Sequence, residues 1–303
     1  MHDPFHAGER LAQAYAGVRV LGAPIRDAMP EQHRAFFAQL PILFVAVADP
    51  SGWPIATALT GVPGFVSSPT PQCLQVAVVP DELDPASLAE GAPIGLLGLD
   101  FATRRRNRAN GVISGLGPDG FGVDVRQSFG NCPQYIQTRF IAPEQPATVR
   151  LETLSHLDAA AHAAIGSADT FFVASGSGPH AGEAGGLDMA HRGGRPGFVR
   201  VDGDVLTIPD FRGNRYFNTL GNLMLDDRAG LLFADFATGD LLQLQGRAEI
   251  LWRSDPAFEG AERLWRLRVT AAWRRRAALP LRWTFGALSP QSERTGVWER
   301  TPA

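Results

Sequence analysis

The stretch at residues 95–103 reads GLLGLDFAT, and the stretch at residues 230–238 reads GLLFADFAT. Two shorter matches keep the same order along the chain: PGFV at 63–66 and 196–199, and FVA at 44–46 and 172–174. The three offsets are 135, 133 and 128 residues, so they differ only by short insertions. Such self-similarity predicts two copies of one structural unit, packed against each other like the subunits of a dimer.

Each copy alternates short apolar runs with turn residues. In the first copy the run ILFVAVA at 42–48 precedes the turn DPSG at 49–52 and a return strand at 55–59. Further strands are predicted at 74–78, 95–101, 108–114, 171–175, 198–201, 205–208, 231–236 and 241–250. This pattern predicts a mainly β (α+β) fold of two tandem antiparallel split β-barrels, packed as a pseudo-dimer with short flanking helices.

Four segments are predicted along the chain. They are an N-terminal helical segment at 1–40, a first barrel at 41–150, a second barrel at 151–255, and a C-terminal helix and tail at 256–303. Within them we expect a short helix at 155–164 capped by Ser155, a helix at 213–225, and an amphipathic helix at 258–278.

The composition narrows the function classes. The formal net charge of −3 and a pI near 6.2 argue against a nucleic-acid partner. No apolar run is long enough to predict a membrane span, and the N-terminus does not read as a signal peptide. Cys73 and Cys132 form no disulfide or metal-binding pattern, and we find no metal-ligand motif, so a reducing cytoplasm is expected.

All 28 basic residues are arginine. The absence of lysine excludes a Schiff base to pyridoxal phosphate and a phosphate loop ending in Gly-Lys-Ser/Thr. A phosphate group must therefore be held by arginines, hydroxyls, amides and backbone N–H groups.

The two copies differ in the segment that follows the strand after PGFV. The first copy reads VPDELD at 79–84, which is acidic, whereas the second reads IPDFRGNRYFNTLGN at 208–222 and leads into a predicted helix. Arginines beside free backbone N–H groups at a helix N-terminus favour an anion. The upstream HRGGR at 191–195 adds arginines, and its glycines let a ligand approach the backbone. A phosphate site is therefore predicted in the second copy and not in the first.

Longer strings carry a family resemblance. The second copy contains HRGGRPGFVRV at 191–201, LTIPDFRGNRYFNTLGNL at 206–223 and GLLFADFATGDLLQLQGRAEI at 230–250. These resemble the pyridoxamine 5'-phosphate oxidase-like superfamily of flavin-binding split β-barrels. The first copy's DFATRRRNRANGVI at 100–113 and SFGNCPQYIQTR at 128–139 are similar to a two-barrel branch of that superfamily.

The resemblance implies an FMN at the interface between the barrels and an FMN-dependent oxidoreductase with a small-molecule substrate. The implied FMN-binding residues are Arg192, Gly193, Arg212, Asn214 and Arg215, with Asn218 and Gln243 as weaker candidates near the ribityl chain or ring. Contacts across the barrels are expected from Arg106, Arg108 and Cys132. The arginine–histidine cluster of true pyridoxamine phosphate oxidases is not recognisable at 281–300, so that substrate is not implied.

Several of these residues allow more than one interpretation. Arg212 and Arg215 could be solvated charges, the arginine run at 104–108 an exposed turn, and Cys132 a buried structural thiol. His191 could be structural, a hydrogen-bond donor or an acid–base group. The alternative functions are a non-catalytic protein that binds flavin or another phosphate ligand, and a split barrel that uses a deazaflavin or haem. No nucleic-acid or membrane partner is expected, and a homodimer is left open.

Overall fold

The computed structural model describes residues 3–142, 148–178, 181–182, 184–252 and 258–298. Its helices are α1 (Ala7–Tyr15), α2 (Glu31–Ala38), α3 (Ala159–Ser167) and α4 (Asn218–Leu225), and a 3-10 turn covers Ser292–Arg294. Within these ranges no helix has the length and apolar character needed to cross a membrane. The rest of the regular structure is antiparallel β-sheet.

The first half forms a seven-stranded sheet. Its strands are β1 (Ile42–Ala48), β2 (Pro54–Thr60), β3 (Val66–Thr70), β4 (Cys73–Val76), β5 (Pro93–Asp100), β6 (Arg105–Gly117) and β7 (Gly120–Gly130). They are hydrogen-bonded in the order β2-β1-β5-β6-β7-β4-β3. Two short strands follow, β8 (Arg139–Ala142) and β9 (Arg150–Leu154).

The second half repeats this topology strand for strand. Its strands are β10 (Thr170–Gly176), β11 (Leu187–Gly193), β12 (Arg200–Asp202), β13 (Val205–Phe211), β14 (Arg228–Ala234), β15 (Leu241–Leu251) and β16 (Ala261–Arg276). Their order is β11-β10-β14-β15-β16-β13-β12, with β9 added on β16. A final strand, β17 (Arg282–Phe285), pairs with β8. The predicted fold of two tandem split barrels is confirmed.

Equivalent residues of the two halves meet at a pseudo-twofold axis. The rings of Phe44 on β1 and Phe172 on β10 stack with centroids 3.6 Å apart. Phe101 and Phe236, which belong to the repeated DFAT strings, meet edge to face at 5.0 Å. One apolar cluster fills the inside of each barrel, and a third, which contains these four rings, lies between the halves. The halves therefore share a core as the subunits of an obligate dimer do.

Two equivalent glycines allow this close approach. A Cβ on Gly95 of β5 would lie 2.6 Å from the carbonyl oxygen of Leu187 on β11. A Cβ on Gly230 of β14 would lie 2.5 Å from the carbonyl oxygen of Pro54 on β2. Because these neighbours are backbone atoms, neither can move aside as a side chain could.

The predicted amphipathic helix at 258–278 is wrong: residues 261–276 form β16. Trp265 and Leu267 are buried while Arg266 and Arg268 are exposed, which is the period-two pattern of a strand. Pairing with β15 on one side and β13 on the other overrides the helix propensity of the segment. The sheet of the second half thus extends past the predicted boundary at 255.

Two predicted helix starts also need correction. The helix expected from residue 155 begins at Ala159, and its cap is Asp158, which accepts from Ala161 N at 2.8 Å, and not Ser155. The helix expected from residue 213 begins at Asn218. Several further strands have no counterpart among the predicted ones, namely β3, β7, β8, β9, β11 and β17. Of these, β11 contributes most to the candidate site.

We expect Gly95→Ala and Gly230→Ala each to destabilise the protein by about 1–3 kcal/mol, because an added methyl group overpacks the contact between the halves. Gly166→Ala on α3 is the matched control, since no atom lies within 4 Å of its Cβ position, and alanine there should be neutral or slightly stabilising. Urea unfolding measures all three. Wild-type stability in both interface variants would contradict the close approach.

Candidate functional site

A small cleft of about 60 Å³ opens beside the start of α4. It is lined from the second half by residues of β11, β13, the 213–219 segment and β16, and from the first half by Arg108 of β6. A volume of this size holds about two water molecules, or one small polar group such as a phosphate. A whole dinucleotide or flavin would have to extend beyond it.

The loop before α4 shapes this cleft. Arg215 and Phe217 have φ values of 61° and 63°, in the left-handed region that non-glycine residues rarely adopt. Phe217 occupies the N-cap position and provides no side-chain cap, so the N–H groups of the first turn of α4 have no side-chain acceptor there. This loop, and not the first helical turn, carries Arg212 and Arg215.

Ion pairs link the charged side chains of the cleft into one chain. Arg192 contacts Asp210 at 3.1 Å, and Arg263 contacts the other oxygen of Asp210 at 2.5 Å. Arg263 also contacts Glu262 at 3.0 Å, and Glu262 contacts Arg215 at 3.1 Å. These three arginines face two carboxylates, and Arg108, which pairs with Asp188, brings the balance to four arginines against three carboxylates. The cleft therefore has a positive excess that favours an anion.

Side chains from the first half reach into the second, as predicted for Arg108. Its Nη1 lies 3.4 Å from Asp188 Oδ1 on β11 and 3.3 Å from Asn218 Oδ1 at the start of α4. Asp188 also accepts from Asn110 of β6 at 2.7 Å and from Asn222 of α4 at 2.9 Å. The carboxylate of Asp188 thus ties the two halves and α4 together.

Arg106 makes the second contact across the halves. It donates from Nη1 to His191 Nδ1 at 3.1 Å and from Nε to the carbonyl oxygen of Cys132 at 2.9 Å. The segment after β7 also crosses over: Asn131 accepts from Asn214 at 3.1 Å, and Tyr135 stacks on Phe211 with centroids 5.2 Å apart. Arg106 therefore contacts the second half. The bond of Cys132 is to Arg106 of its own half, so its contact across the barrels stays a prediction.

Several buried polar atoms at this place have no hydrogen-bond partner among the described residues. They are Arg108 Nε, Asn110 Oδ1, Asn131 Nδ2, His191 Nε2 and Arg192 Nε. An unmade hydrogen bond on a buried group costs about 1–3 kcal/mol. Because four of these five atoms are N–H donors, their concentration here indicates a ligand that supplies acceptors.

The predicted site residues fall into two groups. Arg192, Asn214, Arg215 and Asn218 line the cleft together with Arg108. Arg212 is exposed and outside this lining, with only its carbonyl oxygen bonded, to the Tyr135 hydroxyl at 3.3 Å. Gly193 packs against the carbonyl oxygen of Tyr135, so its missing side chain makes room for the first half and not for a ligand.

Gln243 lies away from this group, at the position that mirrors Arg108. Leu97 pairs with Arg108 as the equivalent Leu232 pairs with Gln243. Gln243 donates to the carbonyl oxygen of Ala56 at 3.1 Å and to Asp84 Oδ1 at 3.1 Å, both in the first half. It therefore belongs to the pseudo-symmetric counterpart of the cleft.

That counterpart is filled by protein. Arg275 of β16 occupies the position equivalent to that of Asn131 near the cleft. Its guanidinium pairs with Asp84 at 2.6 Å and also with Asp81. Both Arg275 and Asp84 are almost fully buried. A buried ion pair occupies the place, so an anionic ligand would have to displace a carboxylate from its arginine.

Sequence reasoning missed Arg263 and Asn131. Arg263 is buried on β16, and the helix predicted there gave no reason to place it beside Asp210. Asn131 precedes Cys132 in the quoted SFGNCPQYIQTR string, so the signal was present and only the residue was not singled out.

A larger cavity of about 1230 Å³ lies elsewhere, between α3, β12 and the turn joining β14 to β15. Two of its arginines are already paired: Arg139 with Asp169, and Arg274 with Glu152 at 2.8 Å and with Asp158. One unpartnered donor, Arg139 Nη1, belongs to a residue of this larger cavity. We take the smaller cleft as the candidate site because two arginines with unpartnered donors, Arg108 and Arg192, line it beside the start of α4.

The N-terminal helix α1 packs against α4. Gly8 of α1 packs against the backbone of Gly221 in α4. Glu9 is buried and accepts from Asn218 Nδ2 at 2.5 Å and from His6 N at 3.0 Å. Burial, followed by the negative charge of Asp188, raises the pKa of Glu9 to about 8. Glu9 is thus a neutral acid at pH 7 that holds the Asn218 amide, whose oxygen faces Arg108.

Comparison with known proteins does not identify a family for this chain. No protein-family description matches the chain, and no curated protein matches it. Solved structures that align with part of it include HupZ of group A Streptococcus, at 11% identity over 39% of this chain and 98% of its own, with a TM-score of 0.30. A FAD-binding protein from Mesorhizobium loti aligns at 13% identity over 41% of this chain and 97% of its own, with a TM-score of 0.27. The function proposed below therefore rests on the geometry of the site.

We expect the contribution of Glu9 to the stability of the wild-type protein to fall as pH rises from 5 to 8, because folding raises the pKa of Glu9 from 4.5 to about 8. A group with a raised folded-state pKa stabilises fully below its unfolded pKa, and this contribution disappears as pH passes the folded pKa. At about 1.4 kcal/mol per pKa unit, the loss from Glu9 is on the order of 3 kcal/mol.

Glu9→Gln removes this titration, so its stability should fall less over the same range, and urea unfolding at several pH values measures the difference. Folding lowers the pKa values of His6, His33 and His191 in the wild-type protein, which adds stability as pH rises over part of this range. The test therefore compares the slopes of the two profiles and not the stability of one protein alone. Parallel pH profiles for the two proteins would show that Glu9 is ionised at neutral pH.

Proposed function

We propose that the cleft at the start of α4 binds the phosphate of FMN, and that the protein is an FMN-dependent oxidoreductase acting on a small molecule. The observation that carries the proposal is the set of buried, unpartnered N–H donors: Arg108 Nε, Asn131 Nδ2 and Arg192 Nε. The two arginines line the cleft beside the uncapped first turn of α4, and Asn131 contacts Asn214 of the same cleft. A helix N-terminus also favours an anion.

The donor set fits a phosphate. Arginines and amides give charge-assisted and directional hydrogen bonds to phosphate oxygens, and no lysine is needed. Asp210 and Glu262 hold the arginines in place but do not cancel their charge, since Arg108, Arg192, Arg215 and Arg263 all border the cleft. The cleft volume of about 60 Å³ suits the phosphate alone.

The contact between the halves would supply the surroundings for the rest of the ligand. Burial and the positive charges of Arg108 and Arg192 lower the pKa of Arg106 to about 9, so Arg106 is still charged at pH 7. Bound FMN would supply hydride or electron transfer. Fixed positive charges of Arg106, Arg108 and Arg192 would stabilise negative charge on the ligand, including charge gained on reduction.

The competing functions differ in what they require. A non-catalytic protein would bind FMN with the same residues, and turnover with a reduced nicotinamide or another electron donor separates it from an oxidoreductase. A haem protein needs an axial ligand for the iron, such as a histidine nitrogen with a free lone pair. The Nδ1 atom of His191 already accepts from Arg106, which leaves its other nitrogen carrying the proton. A deazaflavin would be separated from FMN by mass spectrometry of the purified protein.

Apoprotein titrated with FMN should saturate at one equivalent per chain, because the counterpart of the cleft is filled by the Arg275–Asp84 ion pair. Isothermal titration calorimetry gives the stoichiometry, and the absorbance of the complex confirms that flavin is bound. Saturation at two equivalents would contradict the asymmetry between the halves, and no binding would contradict the proposed function.

Arg192→Ala should weaken FMN binding roughly ten- to a hundredfold, since a hydrogen bond to a charged group is worth about 1.5–3 kcal/mol. Arg212→Ala, whose side chain lies outside the cleft, is the matched control and should keep wild-type affinity. Riboflavin lacks the phosphate, so its affinity should change little in either variant. Equal losses for FMN and riboflavin would mean that Arg192 acts through folding and not through the phosphate.

A further inference from the structure

His191 lies on β11 at the contact between the halves and is only 5% exposed. Its Nδ1 atom is 3.1 Å from Nη1 of Arg106, which belongs to β6 of the other half. An arginine guanidinium only donates hydrogen bonds, so Nδ1 of His191 must be the acceptor. In the neutral ring the proton therefore resides on Nε2.

The surroundings keep this ring neutral. Burial, followed by the positive charges of Arg106, Arg139, Arg192 and Arg108, lowers the pKa of His191 well below its ordinary value. Its Nε2 atom is buried and has no acceptor among the described residues. A neutral N–H donor with a fixed direction is thus left unpaired, which is unfavourable for a buried group.

The internal repeat shows that this pair belongs to one side of the molecule. His191 pairs with Phe172 on the neighbouring strand, and at the mirrored position Ala58 pairs with Phe44. Arg106 is likewise replaced by Leu241. The same backbone framework therefore folds without either polar side chain, and both occur on the side that has the phosphate cleft. A purely structural role for His191 and Arg106 does not explain why they occur on one side of the molecule and not on the other.

We propose that His191 is a fixed hydrogen-bond donor, which gives its Nε2–H to an acceptor atom of the bound ligand, and that Arg106 of the first half sets this tautomer. The inference rests on the proposed function, with the acceptor a carbonyl oxygen or an unprotonated ring nitrogen of FMN. The site would then select a ligand that accepts at this point and disfavour one that presents an N–H there. His191 does not act as a proton-accepting base, since its only free nitrogen carries the proton.

Nuclear magnetic resonance on the full chain labelled with ¹⁵N-histidine tests this assignment directly. In the apoprotein at pH 7, His191 should show a neutral ring with the proton on Nε2, identified through the loss of its signals in His191→Phe. Adding FMN should shift the Nε2–H resonance and slow its exchange with water. His162, which is half-buried on α3 and bonded at Nε2 to the carbonyl oxygen of Gly203, is the internal control and should not shift.

The affinity of FMN gives a second readout. His191→Phe should weaken FMN binding roughly three- to tenfold, as expected for the loss of one neutral hydrogen bond. Arg106→Leu should abolish the preference for the Nε2–H tautomer. Arg105→Leu is the matched control, since Arg105 instead donates to the Gln32 carbonyl oxygen and lies over the Phe36 ring.

The outcomes separate this inference from the proposed function. An Nδ1–H tautomer or a charged ring in the apoprotein would overturn the inference whether or not FMN binds. FMN that binds to saturation while the Nε2–H signal stays unchanged would overturn the inference alone. If FMN does not bind at all, the proposed function fails and the ligand part of the inference falls with it, while the assigned tautomer remains independently measured.

Discussion

The backbones of the two halves touch at equivalent points, and the candidate site depends on this contact. Gly95 lies against β11, and Gly230 lies against β2, with no room for a Cβ at either place. This spacing brings β6 of the first half next to β11 of the second, so that Arg106 and Arg108 reach His191 and Asp188. A fold that held the halves even slightly farther apart would leave those side chains without partners.

The same framework carries different chemistry on its two sides. Where the cleft has Arg108 and Asn131, the counterpart has Gln243 and Arg275. Buried atoms without partners occur on both sides: Arg108 Nε and Asn131 Nδ2 near the cleft, and Arg275 Nε at the counterpart. The two sides differ because the Arg275–Asp84 ion pair fills the counterpart, whereas the cleft is open. Burying such groups is unfavourable unless a ligand completes their hydrogen bonds, which is why we place function on one side.

The sequence was sufficient for the tandem repeat, the barrel class and three of the four arginines that line the cleft, Arg108, Arg192 and Arg215, because repeats and loop composition are local signals. Arg263 was not found, since β16 has the composition of a helix and becomes a strand only through pairing on both edges. Gln243 was placed at the wrong site for a geometric reason. Gln243 lies on β15, which is the equivalent of β6. The side chain of Arg108 on β6 reaches into the second half, so its equivalent Gln243 reaches into the first half, where the counterpart of the cleft lies. This placement depends on how the two halves pack against each other, which cannot be predicted from the sequence of either copy.

The most direct test of the account is a crystal structure of the full chain with FMN, read for the position of the phosphorus atom. The account predicts a single phosphate in the cleft at the start of α4, with oxygens within hydrogen-bond distance of Arg108 and Arg192, and an intact Arg275–Asp84 ion pair. A phosphate at the counterpart beside Arg275, or in the larger cavity beside α3, would contradict it.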